Sequence, residues 1–313
     1  MLDFQIHKLK IKFGLLFQRL IYRLFSIFPK SFNLVILDGL THALNISSIS
    51  YNGRSGEFFG SPYDRHAIGQ YVTHGTYSTA LVAFITDSLK STKEGTFIDI
   101  GANIGLVSIP VAQHGINCIC FEPDPRNFYF LKLNMLISGM SDLMTLHNIA
   151  LYSKRSELIF ERSGTNSGDH RIRINGSNVK ELFNESSRKT VCIQADRLDD
   201  ALSINDIKHP IVVKIDTQGA EAAIVEGGSE FLSQADILIF EYSPYLSRRQ
   251  NNNELSLIQY IQKHFHSGCV IDEIHGDTEF EFNELSYVVD KMKQLSDSFP
   301  HLHYVDVIVR KKA

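Results

Sequence analysis

Two glycines and four acids stand at the ends of apolar runs, where side chains can converge on a ligand: Asp99, Gly101, Gly105, Glu122, Asp216 and Glu241. In Thr96-Phe-Ile-Asp-Ile-Gly-Ala-Asn-Ile-Gly105 a strand pattern ends at Asp99, Gly101 permits a tight turn, and Gly105 lets the next helix pack close to the sheet. A loop of this kind at the carboxyl end of a first strand is a ligand site. A dinucleotide site would show G-x-G-x-x-G, with its pyrophosphate on the helix N-terminus. Here the spacing is G-x-x-x-G, Ala102 stands in place of a glycine, and Asp99 sets a carboxylate beside the loop. A carboxylate repels a pyrophosphate and attracts an ammonium or sulfonium. The electrostatics therefore favour S-adenosyl-L-methionine, which carries both cations and no phosphate. Glu122 ends the next run, CICFE, about 20 residues on, where an acid accepts hydrogen bonds from both ribose hydroxyls. A nicotinamide cofactor would want the same acid, so Glu122 supports a nucleoside ligand without choosing between them. Taken singly, Asp99 or Glu122 could equally cap a loop. The expected donor-binding set is Asp99, Gly101, Asn103, Gly105, Glu122 and Pro123.

A second group of acids points to the acceptor. Asp216 ends PIVVKID, and in a doubly wound sheet this strand lies beside the glycine-loop strand at the topological switch point. Glu241 ends DILIFE, just before the turn-forming Tyr242-Ser-Pro-Tyr245. A hydroxyl is a weak nucleophile, so transfer to it gains from a carboxylate that takes its proton, and alignment of the reacting atoms supplies the larger share. Asp216 and Glu241 are the candidates for orienting or deprotonating an acceptor. Glu221, in the first turn of the next helix, is accounted for by the helix dipole. Between Phe160 and Val191 lies ERSGTNSGDHRIRINGSNVKELFNESSRK, too long and polar for a simple connection. Asn166, Ser167, His170, Arg171 and Arg173 are candidate contacts there for an acceptor, an anionic one included, although a solvated loop explains them as well. His170 is an alternative base, with an ordinary pKa near neutrality. No metal is expected. The four cysteines, Cys118, Cys120, Cys192 and Cys269, lack zinc-ligand spacing and suit buried free thiols in a reducing cytosol. Metal binding by the carboxylates is the weaker alternative.

These residues must be positioned by a regular framework. Strand-like runs TFIDI, CICFE, LMTLHNI, PIVVKID and DILIFE alternate with helical stretches at 103–114, 124–138 and 219–233. That alternation means an α/β fold: a mostly parallel twisted sheet with helices on both faces. CVIDEI and HYVDVIVRK are expected to add closing strands. Upstream, His66 to Lys90 has helical spacing, and NGRSGEFFGSP has the look of turns. Residues 1–30 are basic and apolar, with Lys8, Lys10, Lys12, Arg19, Arg23 and Lys30 against Asp3 alone. Their unbroken apolar runs are too short to span a bilayer, and the arginines break a signal-peptide core. The expectation is a helix ended by Pro29 that lies on a membrane surface or packs on the protein. The chain thus divides into an N-terminal helical extension, 1–90, and a larger domain, 91–313, placed in the cytoplasm with peripheral contact at the inner membrane face. A net charge of −4 argues against general affinity for nucleic acid; oligomeric state is not legible.

Several of these segments resemble the FkbM-type methyltransferase family. The matching pieces are Phe97-Ile-Asp-Ile-Gly-Ala-Asn-Ile-Gly105, Phe121-Glu-Pro-Asp-Pro125, Asn134, Asn148-Ile-Ala150, Asp196-Arg-Leu-Asp-Asp200, Val213-Lys-Ile-Asp-Thr-Gln-Gly-Ala-Glu221 and Ile239-Phe-Glu241. The resemblance implies a class I, Rossmann-like methyltransferase fold and S-adenosyl-L-methionine as donor. It also implies O-methylation of a sugar, glycan or other small molecule. One departure stands out: Gln218 occupies a position where many relatives have Glu, keeping a hydrogen-bonding group and removing a charge. Two rival readings are a nucleotide-dependent oxidoreductase and a binding protein that keeps the fold without turnover.

Overall fold

The computed structural model describes residues 47–90, 94–174, 176–177, 179–272, 274, 278–298 and 303–312. The basic segment 1–30 lies outside the described residues. Among the described residues no helix is long and apolar enough to cross a membrane.

The chain opens with a hairpin, β1 (Ile49–Gly53) and β2 (Gly56–Gly60), followed by α1 (Ala67–His74) and α2 (Thr79–Lys90). Then come β3 (Thr96–Ile100), α3 (Ser108–Ala112), β4 (Asn117–Phe121), α4 (Pro125–Ile137) and β5 (Met144–His147). A small second sheet is built from β6 (Ala150–Leu151), β7 (Ser156–Arg162), β8 (Arg171–Ile172) and β9 (Lys189–Asp196), and α5 (Leu198–Ala201) leads back. The main sheet resumes with β10 (Ile211–Ile215), α6 (Glu221–Gly227), α7 (Ser229–Leu232), β11 (Ile237–Tyr242), α8 (Pro244–Arg249) and α9 (Glu254–His264). It closes with β12 (Ser267–Ile271), β13 (Asn283–Glu284), α10 (Leu285–Asp297) and β14 (Val305–Arg310).

The main sheet has the order β13-β12-β14-β11-β10-β3-β4-β5. Strands β11, β10, β3, β4 and β5 are parallel, and β14 runs antiparallel to β11. The chain builds outward from β3 to β5, then crosses to β10 on the other side of β3. The crevice between the ends of β3 and β10 is therefore the switch point at which open α/β sheets bind ligands. Every residue of β3 and β10 is buried, as central parallel strands covered on both faces must be. Alternate side chains serve opposite faces. Ile98, Ile100, Val213 and Leu238 pack with residues of α6, α9 and α10. Phe97, Val212 and Ile239 join Ile68, Leu81, Ile85, Ile109 and Leu131 on the other face, so packing runs without a break across residue 90.

Three local expectations need correction. The helix expected over 66–90 is two helices, because Gly75 (φ 71°) caps α1 in the left-handed region and Ser78 (φ 45°) restarts the chain. The stretch expected to be turns is the β1–β2 hairpin, in which Phe58 is wholly buried. Asn134 fixes that hairpin to the glycine loop: its amide nitrogen donates to the Phe59 and Ile104 carbonyls, and its oxygen accepts from the Phe59 N–H. Cys118, Cys120 and Cys269 are buried free thiols, but Cys192 is exposed, on the outward side of β9.

Candidate active site

The carboxyl ends of β3, β4, β10 and β11 open onto a cavity of about 810 Å³. Gly101 forms its floor at φ 88°, and a Cβ there would lie 2.0 Å from the Asp216 carbonyl oxygen. The glycine is required twice over: for its backbone conformation and for the contact between the β3 and β10 ends. Gly101→Ala should leave the protein unfolded or insoluble when expressed. A folded variant with wild-type melting would show that the two loops can part. Gly105 (φ 90°) admits the side chains of Ile109 and Leu131, which a Cβ would meet at 2.7 and 2.8 Å.

Glu122 and Asn103 face the cavity together. Glu122 is buried, and its carboxylate accepts from the Asn103 N–H at 2.9 Å and from the Asp124 N–H at 2.8 Å. One bond falls on each oxygen, so each keeps a lone pair for a ribose hydroxyl. Asn103 holds a left-handed conformation (φ 53°) that aims its N–H at the acid. Pro123 lines the same wall. Burial, ahead of all other influences, pushes the Glu122 carboxyl up to about 8 in the ligand-free protein. The sign follows from proton linkage: the folded state holds this proton more tightly than the unfolded chain. Stability from this group is thus greatest below its ordinary value of 4.5 and declines as pH rises towards 8. Glu122→Gln should flatten that decline in thermal melts from pH 5 to 8. Glu122→Ala should weaken S-adenosylhomocysteine, at about 1 kcal/mol for each lost hydrogen bond. A wild-type dissociation constant in the Ala variant would remove Glu122 from the donor site.

Asp99 lines the same cavity. It is buried, its Oδ2 accepts from the Ser108 hydroxyl at 2.7 Å, and its Oδ1 lies 3.4 Å from Lys214 Nζ. The carboxylate set by electrostatics against the donor's cations is thus already matched by a buried ammonium, and it holds the loop and β10 together. Lys214 also reaches Asp216 Oδ2 at 3.2 Å. Burial alone would push the lysine's pKa down, yet Asp216 and Asp99 together hold it above the ordinary value. Lys214 was missed at the sequence level although its spacing shows it: residues two apart on a strand share a face, so Lys214 and Asp216 had to project together.

Asp216 and Glu241 end adjacent parallel strands and both line the cavity. Between them stands Gln218, whose Nε2 is 3.1 Å from Asp216 Oδ1 and 3.1 Å from Glu241 Oε1. Burial first, then the neighbouring Asp216, pushes the Glu241 carboxyl well up. Glu221 stands close enough to Glu241 to act on its charge, but its own hydrogen bonds go to the loop. It accepts from the Thr217 N–H and hydroxyl and from the Gly219 N–H, and so braces the loop. Among the described residues no group of three or more His, Cys, Asp or Glu side chains is arranged to hold a metal ion.

The long insertion closes the cavity on the side of Asn103 and Glu122. The Ser167 hydroxyl donates to Asp64 and lies 3.1 Å from the Asn103 side-chain amide. The Arg65 N–H donates to the Thr165 carbonyl. His170 lines the cavity with its Nδ1 3.8 Å from Asp124 Oδ2, beyond the end of β4. Strands β3 and β10 separate β4 from β11, which carries Glu241. The structure does not bring His170 to the carboxylate pair. Arg171 and Arg173 turn inward to Asp169 and Glu161 and do not line the cavity. Arg188, Phe183 and Tyr245, which the sequence does not mark as site candidates, do line it.

A mostly parallel sheet with a glycine loop and an acid at the end of the next strand defines a class I methyltransferase fold. The chain belongs to the FkbM methyltransferase domain family, whose model matches residues 99–288, and the donor is S-adenosyl-L-methionine. It is similar to the 2-O-methyltransferase NoeI of Sinorhizobium fredii, 28% identical over 169 residues, which take in 50% of this chain and 66% of that protein. The chain therefore spans slightly less than two thirds of that relative's length. Among solved structures it is similar to a Pyrococcus horikoshii protein (12% identical, TM-score 0.41, 90% of this chain and 84% of that one). It is also similar to the Pyrococcus abyssi tRNA (uracil-54, C5)-methyltransferase with S-adenosyl-L-homocysteine (9%, TM-score 0.39, 85% and 44%).

Proposed function

We propose that the protein methylates an oxygen of a sugar, glycan or related small hydroxylated molecule. The observation that carries this reading is the pair of carboxylates, Asp216 and Glu241, opening onto the donor cavity with a neutral amide between them. A hydroxyl is the acceptor whose chemistry needs such a group: its oxygen becomes a competent nucleophile as its proton departs. The relative NoeI, a 2-O-methyltransferase, supports oxygen as the target.

When bound, the donor supplies an electrophilic methyl group on a cationic sulfur. The chain's residues do the rest. Glu122 and the 101–105 loop hold the nucleoside, and the Asp64–Ser167–Asn103 contacts cover it. Asp216, paired with Lys214, accepts a hydrogen bond from the acceptor and orients it. Glu241 takes the proton of the hydroxyl that is methylated. Among the site-lining residues, Phe183 offers an exposed aromatic ring on which a sugar can rest.

The test supplies methyl-labelled S-adenosylmethionine with hexoses, oligosaccharides and small amine acceptors, and locates the label by NMR. Label at an ether oxygen of a carbohydrate is expected. Label only on nitrogen or carbon would sink the reading.

A further inference from the structure

We propose that Gln218 is the positioning residue of the acceptor side: its side-chain amide fixes Asp216 and Glu241 in one geometry and leaves Glu241 as the group that receives the acceptor's proton. This rests on the O-methylation reading given above.

Carboxylates only accept hydrogen bonds when ionised, so the amide nitrogen, not its oxygen, faces both acids. Its two protons serve one carboxylate each, at 3.1 Å and 3.1 Å. Acids at the ends of neighbouring strands, about 4.8 Å apart at the backbone, otherwise repel. Two donors from one nitrogen offset that repulsion and set the spacing.

The backbone shows how firmly the amide is presented. Gln218 has φ 58°, a left-handed conformation uncommon for a residue with a side chain. Five hydrogen bonds impose it. Glu221 Oε1 accepts from the Thr217 N–H (3.0 Å), the Thr217 hydroxyl (2.9 Å) and the Gly219 N–H (3.2 Å). Gln250 Nε2 donates to the Gln218 carbonyl and Asn252 Nδ2 to the Gly219 carbonyl, both at 2.6 Å. None of the five uses the Gln218 side chain. The loop is built without it, and the hydrogen bonds of that side chain go to the two carboxylates.

The two acids are not equivalent. Asp216 has the Lys214 ammonium at 3.2 Å. The charges that act most on Glu241 are acidic: Asp216 just after β10, Glu221 from α6 and Asp306 from β14. Tyr77, between α1 and α2, faces Asp216 and Lys214. An acid placed among acids is a good base. The amide bridge restrains that effect on Glu241, so its loss should show in Glu241 itself.

Three variants test this: Gln218→Ala, which removes the bridge; Gln218→Glu, which keeps the length and replaces donors by an acceptor; and Gln218→Asn, an amide too short to span both acids. With carbon-13 carboxyl-labelled glutamate, the Glu241 resonance, assigned through Glu241→Gln, should titrate at higher pH in the Ala and Asn variants and higher still in Gln218→Glu. With a carbohydrate acceptor, kcat should fall on the order of 10²-fold, as for misplaced reacting groups, with donor affinity unchanged. The acid limb of the pH profile should follow the Glu241 resonance. An unmoved resonance in all three variants overturns the proposal. So does a loss of S-adenosylhomocysteine affinity in step with the rate, which would make Gln218 a loop brace. If the wild type binds S-adenosylhomocysteine but methylates no hydroxyl, the functional reading fails, and the resonance still decides whether Gln218 controls Glu241.

Discussion

Glu241→Gln lowers the methyl-transfer rate by roughly 10²–10⁴-fold on the proposed reading, the usual cost of losing a general base. The affinity for S-adenosylhomocysteine stays at the wild-type level on the same reading, which gives the nucleoside to Glu122 and the glycine loop. Asp216→Asn costs less, since its part is orientation. The pH dependence has a definite sign. Burial, then Asp216, Glu221 and Asp306, raise the Glu241 carboxyl well above the ordinary range, and the base works only when unprotonated. Activity should therefore fall as pH drops through that raised value, nearer neutrality than an ordinary carboxylate would allow. Rates and binding measured together separate the outcomes. A variant that loses donor binding places its residue in the donor pocket, and an unchanged rate in both folded variants means that the base lies elsewhere.

The second large effect is on stability. Lys214→Met should cost roughly 3–5 kcal/mol, the penalty for breaking a buried ion pair from one side. Asp99 is only 1% exposed, and after the substitution its charge keeps the Ser108 hydroxyl as its side-chain partner. Lys214→Met combined with Asp99→Asn should recover much of the loss, since the remaining groups are neutral. Urea denaturation of both variants measures the difference. Equal stability of the single and double variants would show that Asp99 does not depend on the lysine.

The main sheet was legible because its signals are local and redundant. Five apolar runs ended in acids or turns, and each became a parallel strand, with the strand before Asp216 beside that of Asp99 as expected. Glycine spacing located the loop, and Glu122 followed from its position at the next strand end. What escaped was set by tertiary contact. The β1–β2 hairpin carries little alternation, because Phe58 and Asn134 hold it from outside its own sequence. Gly75 and Ser78 split a stretch whose helical periodicity runs on regardless. Arg171 and Arg173 promised an anion site, but their charges are spent on Asp169 and Glu161, which no spacing rule connects to them. His170 went to the side of Asn103 and Glu122 for the same reason: the path of a long insertion is not written in its composition. Lys214 could have been found from strand period alone. Gln218 was noticed only as a departure from relatives, and its geometry explains what the exchange of charge for amide achieves.

The contacts that close the donor pocket join remote parts of the chain. Phe59 and Asn134 are 75 residues apart, Asp64 and Ser167 are 103 apart, and Asp99 and Lys214 are 115 apart. Closing such long loops costs chain entropy before any contact repays it. Donor-binding competence therefore belongs to the late stage of folding, after β10 has docked on β3 and the insertion has come back over residues 64–67. A nascent chain that has emerged only as far as β5 has the glycine loop and Glu122, yet neither its lysine counter-charge nor its cover. Retention on immobilised S-adenosylhomocysteine thus reports completion of the whole fold, and binding of the donor stabilises both halves of the chain as one unit.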